Sequence, residues 1–99
     1  MKINFEGKEF TLDLDEISVS QAKVIKVHTG QTLKSLGDGM QEGDPDALRA
    51  VFWLMHVQSG VSLDIDRADF KIVKFLTALG EAISEDDDVA EDEATPKGE

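Results

Sequence analysis

The segment between Asp44 and Gly60 constrains the fold more than any other part of the sequence. Asp44-Pro45 is typical of a helix start, with an N-cap residue followed by proline at the first helical position, and Gly60 ends the pattern. We therefore predict a helix that runs to Ser59. Its apolar residues cover almost the whole circumference, so a helix of this kind has to be covered on both faces. They are Ala47, Leu48, Ala50, Val51, Phe52, Trp53, Leu54, Met55 and Val57.

Two interpretations of this helix differ in what covers its second face. In the first, it is the central helix of a small bundle, and the domain itself buries both faces. In the second, Trp53, Leu54 and Val57 remain open as a partner-binding surface. A tryptophan among aliphatic residues is typical of an interface hot spot, and an open apolar face can hold the hydrophobic helix of another chain.

The first 14 residues predict a β-hairpin. Apolar residues alternate with polar ones on both sides of Glu6-Gly7-Lys8, and Gly7 can adopt the positive φ that a tight turn requires. Two strands do not persist alone in water, so we expect helices to pack on their apolar face.

Ser18 and Gln21 have the spacing of a capping box, and Gly30 is a natural helix end, which predicts a helix over residues 19–29. Its β-branched residues are scattered around the helical wheel, so an extended segment from Lys23 to Val27 is the alternative. Residues 32–40 predict a short helix that uses Leu33 and Leu36 and is interrupted by two glycines.

Asp66 is a candidate cap for a last helix, whose apolar face carries Ile72, Phe75, Leu76, Leu79 and Ile83. Beyond Ile83 the chain is rich in acidic residues and has almost no apolar surface to offset the entropy of ordering. The predicted fold class is therefore mainly α: a small helical bundle with an N-terminal β-hairpin over residues 1–83, and a disordered acidic tail over residues 84–99.

Charge and composition exclude several classes of partner. The formal net charge is −11, of which −4 falls on residues 1–83 and −7 on residues 84–99. Nucleic acids and anionic membranes attract clustered Lys and Arg, so we expect neither as a partner. The chain has no cysteine, no apolar run of membrane-spanning length and no apolar leader segment, which fits a protein that stays in the cytoplasm.

No set of residues predicts catalysis, a cofactor or a metal ion. Asp64-Ile65-Asp66 begins like a calcium loop, but Ala68, Asp69 and Phe75 occupy positions where that loop needs a ligand, a glycine and a glutamate. We interpret these acids as caps of the last helix. His28 and His56 have no second ligand at metal spacing, and Ser59 lacks the glycine that precedes a nucleophile elbow. We therefore expect a binding protein and not an enzyme.

The order of elements resembles the tail assembly chaperones of long-tailed, siphovirus-like bacteriophages. The resemblance covers about residues 1–80 and depends on the spacing of four stretches. They are the opening hairpin at residues 3–12, His28-Thr29-Gly30, the helix entry at residues 43–48, and Val51-Phe52-Trp53-Leu54.

The resemblance implies a protein that binds the tape measure protein in the host cytoplasm and keeps it soluble during tail assembly. It also implies a longer product of ribosomal frameshifting in many members, whose added domain recruits the tail tube protein. Thr95-Pro96-Lys97 can be encoded as ACC CCA AAG, which contains the slippery heptamer C CCA AAG. We therefore expect a frameshift site there, with the acidic tail as an extended linker.

Two other classes of acidic binding protein remain as alternatives. An acyl-carrier-like protein presents a phosphopantetheine serine at a helix start, for which Ser35-Leu36 is the one partial match, although Lys34 stands where aspartate is expected. An acidic mimic of DNA is supported by the tail alone. The sequence leaves the oligomeric state open.

Overall fold

The computed structural model describes the backbone of residues 1–94 and the side chains of residues 1–83. Within these residues the fold is mainly α with an N-terminal β-hairpin, as the sequence predicts. The elements are β1 (Lys2–Phe5), β2 (Lys8–Thr11), α1 (Val19–Thr29), α2 (Leu33–Glu42), α3 (Pro45–Gln58) and α4 (Ile72–Ala94), with short 3-10 helices at Leu14–Glu16 and Ile65–Arg67. The tail predicted over residues 84–99 lies outside the described side chains, and its last five residues lie outside the described backbone.

The hairpin has the tight turn that Gly7 predicts. Glu6 and Gly7 both have positive φ values, 52° and 80°, so the two-residue turn is of the mirror-image kind that matches the twist of paired strands. Ile3 lies opposite Phe10 in the antiparallel register, and both side chains are buried. The hairpin therefore presents one apolar face to the helices.

Helix α1 has the predicted boundaries, and the extended alternative for Lys23–Val27 is wrong. The Ser18 hydroxyl accepts a hydrogen bond from the Gln21 backbone N–H, and the Gln21 side chain accepts one in return from the Ser18 N–H. Gly30 ends the helix in the left-handed conformation. Caps at both ends therefore outweigh the low helix propensity of its β-branched residues.

Helix α2 is continuous from Leu33 to Glu42, so the predicted interruption at Gly37 and Gly39 is wrong. Gly39 is buried where α2 crosses α3, and a Cβ atom built on it would lie 2.5 Å from the Cβ of Ala47. A Cβ built on Gly37 would meet no atom within 4 Å. One glycine thus permits the close packing of two helices, while the other has no such neighbour.

Helix α3 is the central element, and α1, α2 and β2 all pack on it. It begins at Pro45 as predicted, but the Asp44 side chain makes no capping hydrogen bond. The Asp44 carboxylate instead accepts a hydrogen bond from the Gln31 amide at 3.3 Å, which links the start of α3 to the segment between α1 and α2. The buried residues of α3 are Ala47, Leu48, Ala50, Val51, Phe52, Trp53, Leu54 and Met55.

Aromatic rings connect the hairpin, α3 and α4. The ring of Phe5 meets those of Phe52 and Phe75 edge to face, with centroids 5.8 and 5.5 Å apart. Phe70 stacks on Phe52 at 4.3 Å. Such ring pairs add to the free energy of burial, so this cluster fixes α4 against β1 on one side of α3.

The C-terminal end of α3 also holds the edge of the hairpin. The side-chain amide of Gln58 donates to the Asp13 carbonyl oxygen at 2.9 Å, and its oxygen accepts from the Asp13 N–H at 2.7 Å. The Ser59 hydroxyl accepts a hydrogen bond from the Thr11 N–H at 2.8 Å. Two side chains thus satisfy backbone groups at the end of β2 and in the segment that follows it.

The predicted cap of the last helix is wrong. The Asp64 carboxylate accepts from the Asp66 N–H and caps the 3-10 helix Ile65–Arg67, and α4 begins only at Ile72. The Asp66 carboxylate instead lies 2.9 Å from Nδ1 of His28 on α1. These acids therefore shape the connection between α3 and α4, which the helical periodicity of the sequence does not reveal.

Candidate partner-binding groove

The three residues that the sequence singles out for partner binding lie in or against the core. Trp53 is 8% exposed, its indole N–H donates to the Leu63 carbonyl oxygen at 2.9 Å, and Leu54 is fully buried. Val57 is half-buried and packs against the core. The fold thus covers the second face of α3 itself, as the first of the two interpretations requires. A partner could reach Trp53 and Leu54 only if the domain opened.

The side chains that first suggest chemistry are engaged in structural hydrogen bonds. Nδ1 of His56 donates to the Phe52 carbonyl oxygen one helical turn earlier, at 2.8 Å. The Ser35 hydroxyl belongs to a capping box with Thr32 at the start of α2, and it also donates to the Gln31 side-chain oxygen at 3.0 Å. Within the described residues no group of three or more His, Asp or Glu side chains could hold a metal ion.

An unfilled apolar surface of the described chain lies between α1 and α2. Both helices pack on α3 but make little contact with each other, so a groove of about 400 Å³ opens between them. We call it the α1–α2 groove. Its floor is formed by the buried side chains of Ile25 and Leu36, and its walls are Val19, Ala22, Lys23, Lys26, Gln31, Thr32 and Leu33.

Two large apolar side chains at the groove are open to solvent in the free domain. Val19 is 86% exposed and Leu33 is 56% exposed, and each is the first residue of its helix. The capping residues Ser18 and Thr32 fix these two helix starts, so the apolar side chains are held on backbone whose hydrogen bonds are satisfied. The groove is therefore preorganised and does not have to form during binding.

The opposite side of α1 is also apolar and open. Val24, Val27 and His28 line a hollow of about 290 Å³ there, and Val27 is 69% exposed. Ile25 is the one buried residue of α1, a helix whose side chains are all described. This helix therefore exposes two of its large apolar side chains, Val19 and Val27, and fully buries one.

A third hollow, of about 340 Å³, lies where α2 and α4 meet the start of the chain. Met1, Leu14, Met40 and Ile83 contribute apolar atoms to it, and Gly37 and Gly80 form part of its wall. Leu14 and Ile83 are each about 40% exposed. The most exposed apolar side chains there are therefore less open to solvent than Val19 and Leu33 of the α1–α2 groove.

Comparison with known proteins gives no match for this chain. No protein-family model, no curated protein and no solved structure is similar to it. None of the helices within the described residues has both the length and the apolar character needed to cross a bilayer. The geometry of the groove and the sequence resemblance are therefore the two observations that bear on function.

The sequence does not indicate the groove directly, because the scattered apolar residues of α1 are also typical of a segment with a weak helical pattern. Val19 and Val27 lie away from Ile25 on the helical wheel, and a short domain cannot cover every side of a peripheral helix. An apolar residue that no helical stripe accounts for, on a helix with caps at both ends, is the signal that was available.

Proposed function

We propose that this protein is a tail assembly chaperone of a long-tailed bacteriophage, which binds the tape measure protein and keeps it soluble during tail assembly in the host cytoplasm. The observation that carries the proposal is the open α1–α2 groove, with Val19 and Leu33 exposed beside an apolar floor. The resemblance supplies the class of protein, and the groove supplies a means of binding.

The groove suits an amphipathic helix. Such a helix inserts apolar side chains, spaced by three and four residues, into a hydrophobic groove, and this removes apolar surface of both chains from water. A tape measure protein of helical character exposes stripes of this kind before its helices assemble. Covering one stripe prevents aggregation without any chemical step. The proposed function is therefore binding and not catalysis.

The proposal also assigns roles to the sequence-predicted partner residues and to a longer form of the chain. Trp53, Leu54 and Val57 lie in or against the core of the closed domain, and direct contact of Trp53 and Leu54 with the partner would need an opened state. Recruitment of tail tube protein through a longer frameshifted form belongs to the same proposal, and it would leave the α1–α2 groove free for the tape measure protein.

Co-expression with the tape measure protein tests the proposal. We expect the wild-type protein to move the tape measure protein into the soluble fraction and to co-purify with it. Replacing Val19 and Leu33 with serine removes apolar surface from the groove without changing charge, so the double variant should lose this effect while remaining folded.

A matched control changes exposed apolar residues elsewhere. Ile72 and Val73 at the start of α4 are 41% and 75% exposed, and their replacement with serine should leave the tape measure protein soluble. The proposal fails if the wild-type protein leaves the tape measure protein insoluble. It fails at the level of the groove if both double variants lose the effect equally.

A further inference from the structure

The α1–α2 groove lies in a segment whose charge is opposite to that of the rest of the chain. Residues 17–37 contain Lys23, Lys26 and Lys34 and no Asp or Glu, although the whole chain has a net charge of −11. The other residues up to position 83 contain 13 acidic and six basic side chains. Helix α1 and the first turn of α2 therefore carry a local positive charge on an acidic protein, while Asp38 and Glu42 lie further along α2.

Two of these lysines line the groove itself. Lys23 and Lys26 are exposed, stand one helical turn apart on α1, and border the apolar floor. Within residues 1–83 neither ammonium group has a carboxylate within 4.0 Å. Two acidic groups that contact the groove's elements are engaged in hydrogen bonds: Asp44 accepts one from Gln31, and Asp66 accepts one from His28.

From this arrangement we propose that the occupant of the α1–α2 groove is an amphipathic helix of a partner chain whose apolar stripe is bordered by Asp or Glu. The inference rests on the proposed function, since it specifies the chemistry of the segment that the same groove would bind. Apolar side chains fill the space over Ile25 and Leu36, while carboxylates at the edge of the stripe face Lys23 and Lys26.

The charge complementarity affects both affinity and rate. Opposite charges close together at the edge of an apolar groove attract more strongly than they do in bulk water, because part of the surrounding solvent is excluded. They also steer the encounter of the two chains and disfavour partners with basic borders. Salt screens such exposed pairs, so the preference should weaken as ionic strength rises.

Other occupants fit the groove less well. The chain's own residues 84–99 are acidic, but Val89 is their largest apolar side chain, which is too little to fill about 400 Å³. A second copy would offer the exposed Ile72 and Val73 of α4, which are bordered by Lys71 and Lys74. Lysine facing lysine would oppose that contact.

Two labelled synthetic helical peptides test the proposal against the full-length protein. Both carry leucine at the positions of one apolar stripe, and they differ only in having Glu or Lys at its borders. We expect fluorescence anisotropy to show ~10-fold tighter binding of the Glu-bordered peptide at low salt, with a smaller ratio at ~0.3 M salt. Equal binding of the two peptides would overturn the proposal.

Charge reversal at the groove gives the sharper comparison. The double variant Lys23→Glu, Lys26→Glu should reverse the preference towards the Lys-bordered peptide. The matched variant Lys71→Glu, Lys74→Glu makes the same charge change on exposed lysines with the same spacing at the start of α4, and it should keep the wild-type preference. A reversal in both variants would mean that overall charge, and not the groove, selects the peptide.

Two further outcomes would assign the groove to another occupant. If Asp86→Asn, Asp87→Asn and Asp88→Asn together tighten binding of both peptides, the chain's own acidic segment occupies the groove. If the protein self-associates in sedimentation and the Lys23→Glu, Lys26→Glu variant does not, a second copy occupies it.

The proposed function and this inference can fail separately. If the protein prefers the Glu-bordered peptide but does not solubilise the tape measure protein, the inference holds and the proposed function is rejected. If it solubilises the tape measure protein but binds both peptides equally, the proposed function holds and the inference is rejected.

Discussion

Helices α3 and α1 are both apolar on several sides, but the rest of the fold covers these sides only on α3. Eight residues of α3 are buried, because the hairpin, α1 and α2 surround it. On α1 only Ile25 is buried, while Val19 and Val27 face solvent. An apolar circumference shows only that a helix needs cover. Its position in the fold decides whether the same chain provides that cover.

The difference follows from the size of the domain. About 83 residues can form one complete shell around a single central helix, and a small domain leaves a large share of its surface exposed. Helix α1 belongs to that shell, so nothing in the described chain lies outside it. The exposed valines of α1 are consequently available to another molecule, whereas the buried Val51 of α3 is not.

The largest effect on stability should come from a substitution in the buried helix α3. Trp53→Ala removes a buried indole and its hydrogen bond to the Leu63 carbonyl, and should cost about 3 to 5 kcal/mol in the free energy of unfolding. Chemical denaturation followed by far-ultraviolet circular dichroism measures it. A Trp53→Ala protein of wild-type stability that has lost partner binding would instead make Trp53 an interface residue.

A second test compares two glycines of α2, one against α3 and one facing away. Gly39→Ala forces a Cβ atom towards Ala47 and should destabilise the domain by about 1 to 3 kcal/mol. Gly37→Ala, two residues earlier, adds a methyl group in open space and should stabilise by about 0.5 to 1 kcal/mol through better helix propensity. Equal effects in thermal denaturation would mean that α2 and α3 do not pack as closely as described.

A smaller effect is expected where α3 holds the hairpin. Gln58→Ala removes two hydrogen bonds to the Asp13 backbone and should cost about 1 kcal/mol, with faster amide hydrogen exchange at Asp13. Gln41→Ala is the control, since Gln41 is an exposed residue of α2 with no side-chain hydrogen bond among the described residues. Unchanged exchange at Asp13 would remove this link between α3 and the hairpin.

The smallest effect on stability should occur on the open side. Val27→Ser changes a side chain that is 69% exposed, and the free energy of unfolding should stay within about 0.5 kcal/mol of the wild-type value. Denaturation in urea measures it, with Val51→Ser on the covered helix as the contrast. A large loss for Val27→Ser would show that α1 is covered after all.

The boundaries of α1 and α3 could be predicted because they depend on local signals. Ser18, Gln21 and Gly30 mark α1, and Pro45 and Gly60 mark α3, all within a turn of the helix ends. The interruption expected in α2 was wrong because the requirement for Gly39 is tertiary: it depends on how closely α3 approaches. The cap assigned to Asp66 was wrong because a 3-10 helix at Ile65–Arg67 has no periodicity to detect.

The candidate site was harder to predict, for a related reason. Trp53, Leu54 and Val57 attract attention as interface material, but their accessibility depends on what packs over α3. The groove exists because α1 and α2 diverge on the surface of α3, which no local pattern specifies. The sequence shows that residues 17–37 contain three lysines and no acidic residue. Only the structure shows that two of these lysines border one groove.

The hydrogen bonds from Gln58 and Ser59 to the hairpin also determine when the domain can finish folding. They join positions 45 to 48 residues apart, and Phe5 meets Phe75 over a still longer separation. During synthesis, β1 and β2 leave the ribosome well before the residues that cover them, and closing long loops is slow. The hairpin must therefore wait with its apolar face open until α4 has emerged, so the domain completes its fold in one late step instead of strand by strand.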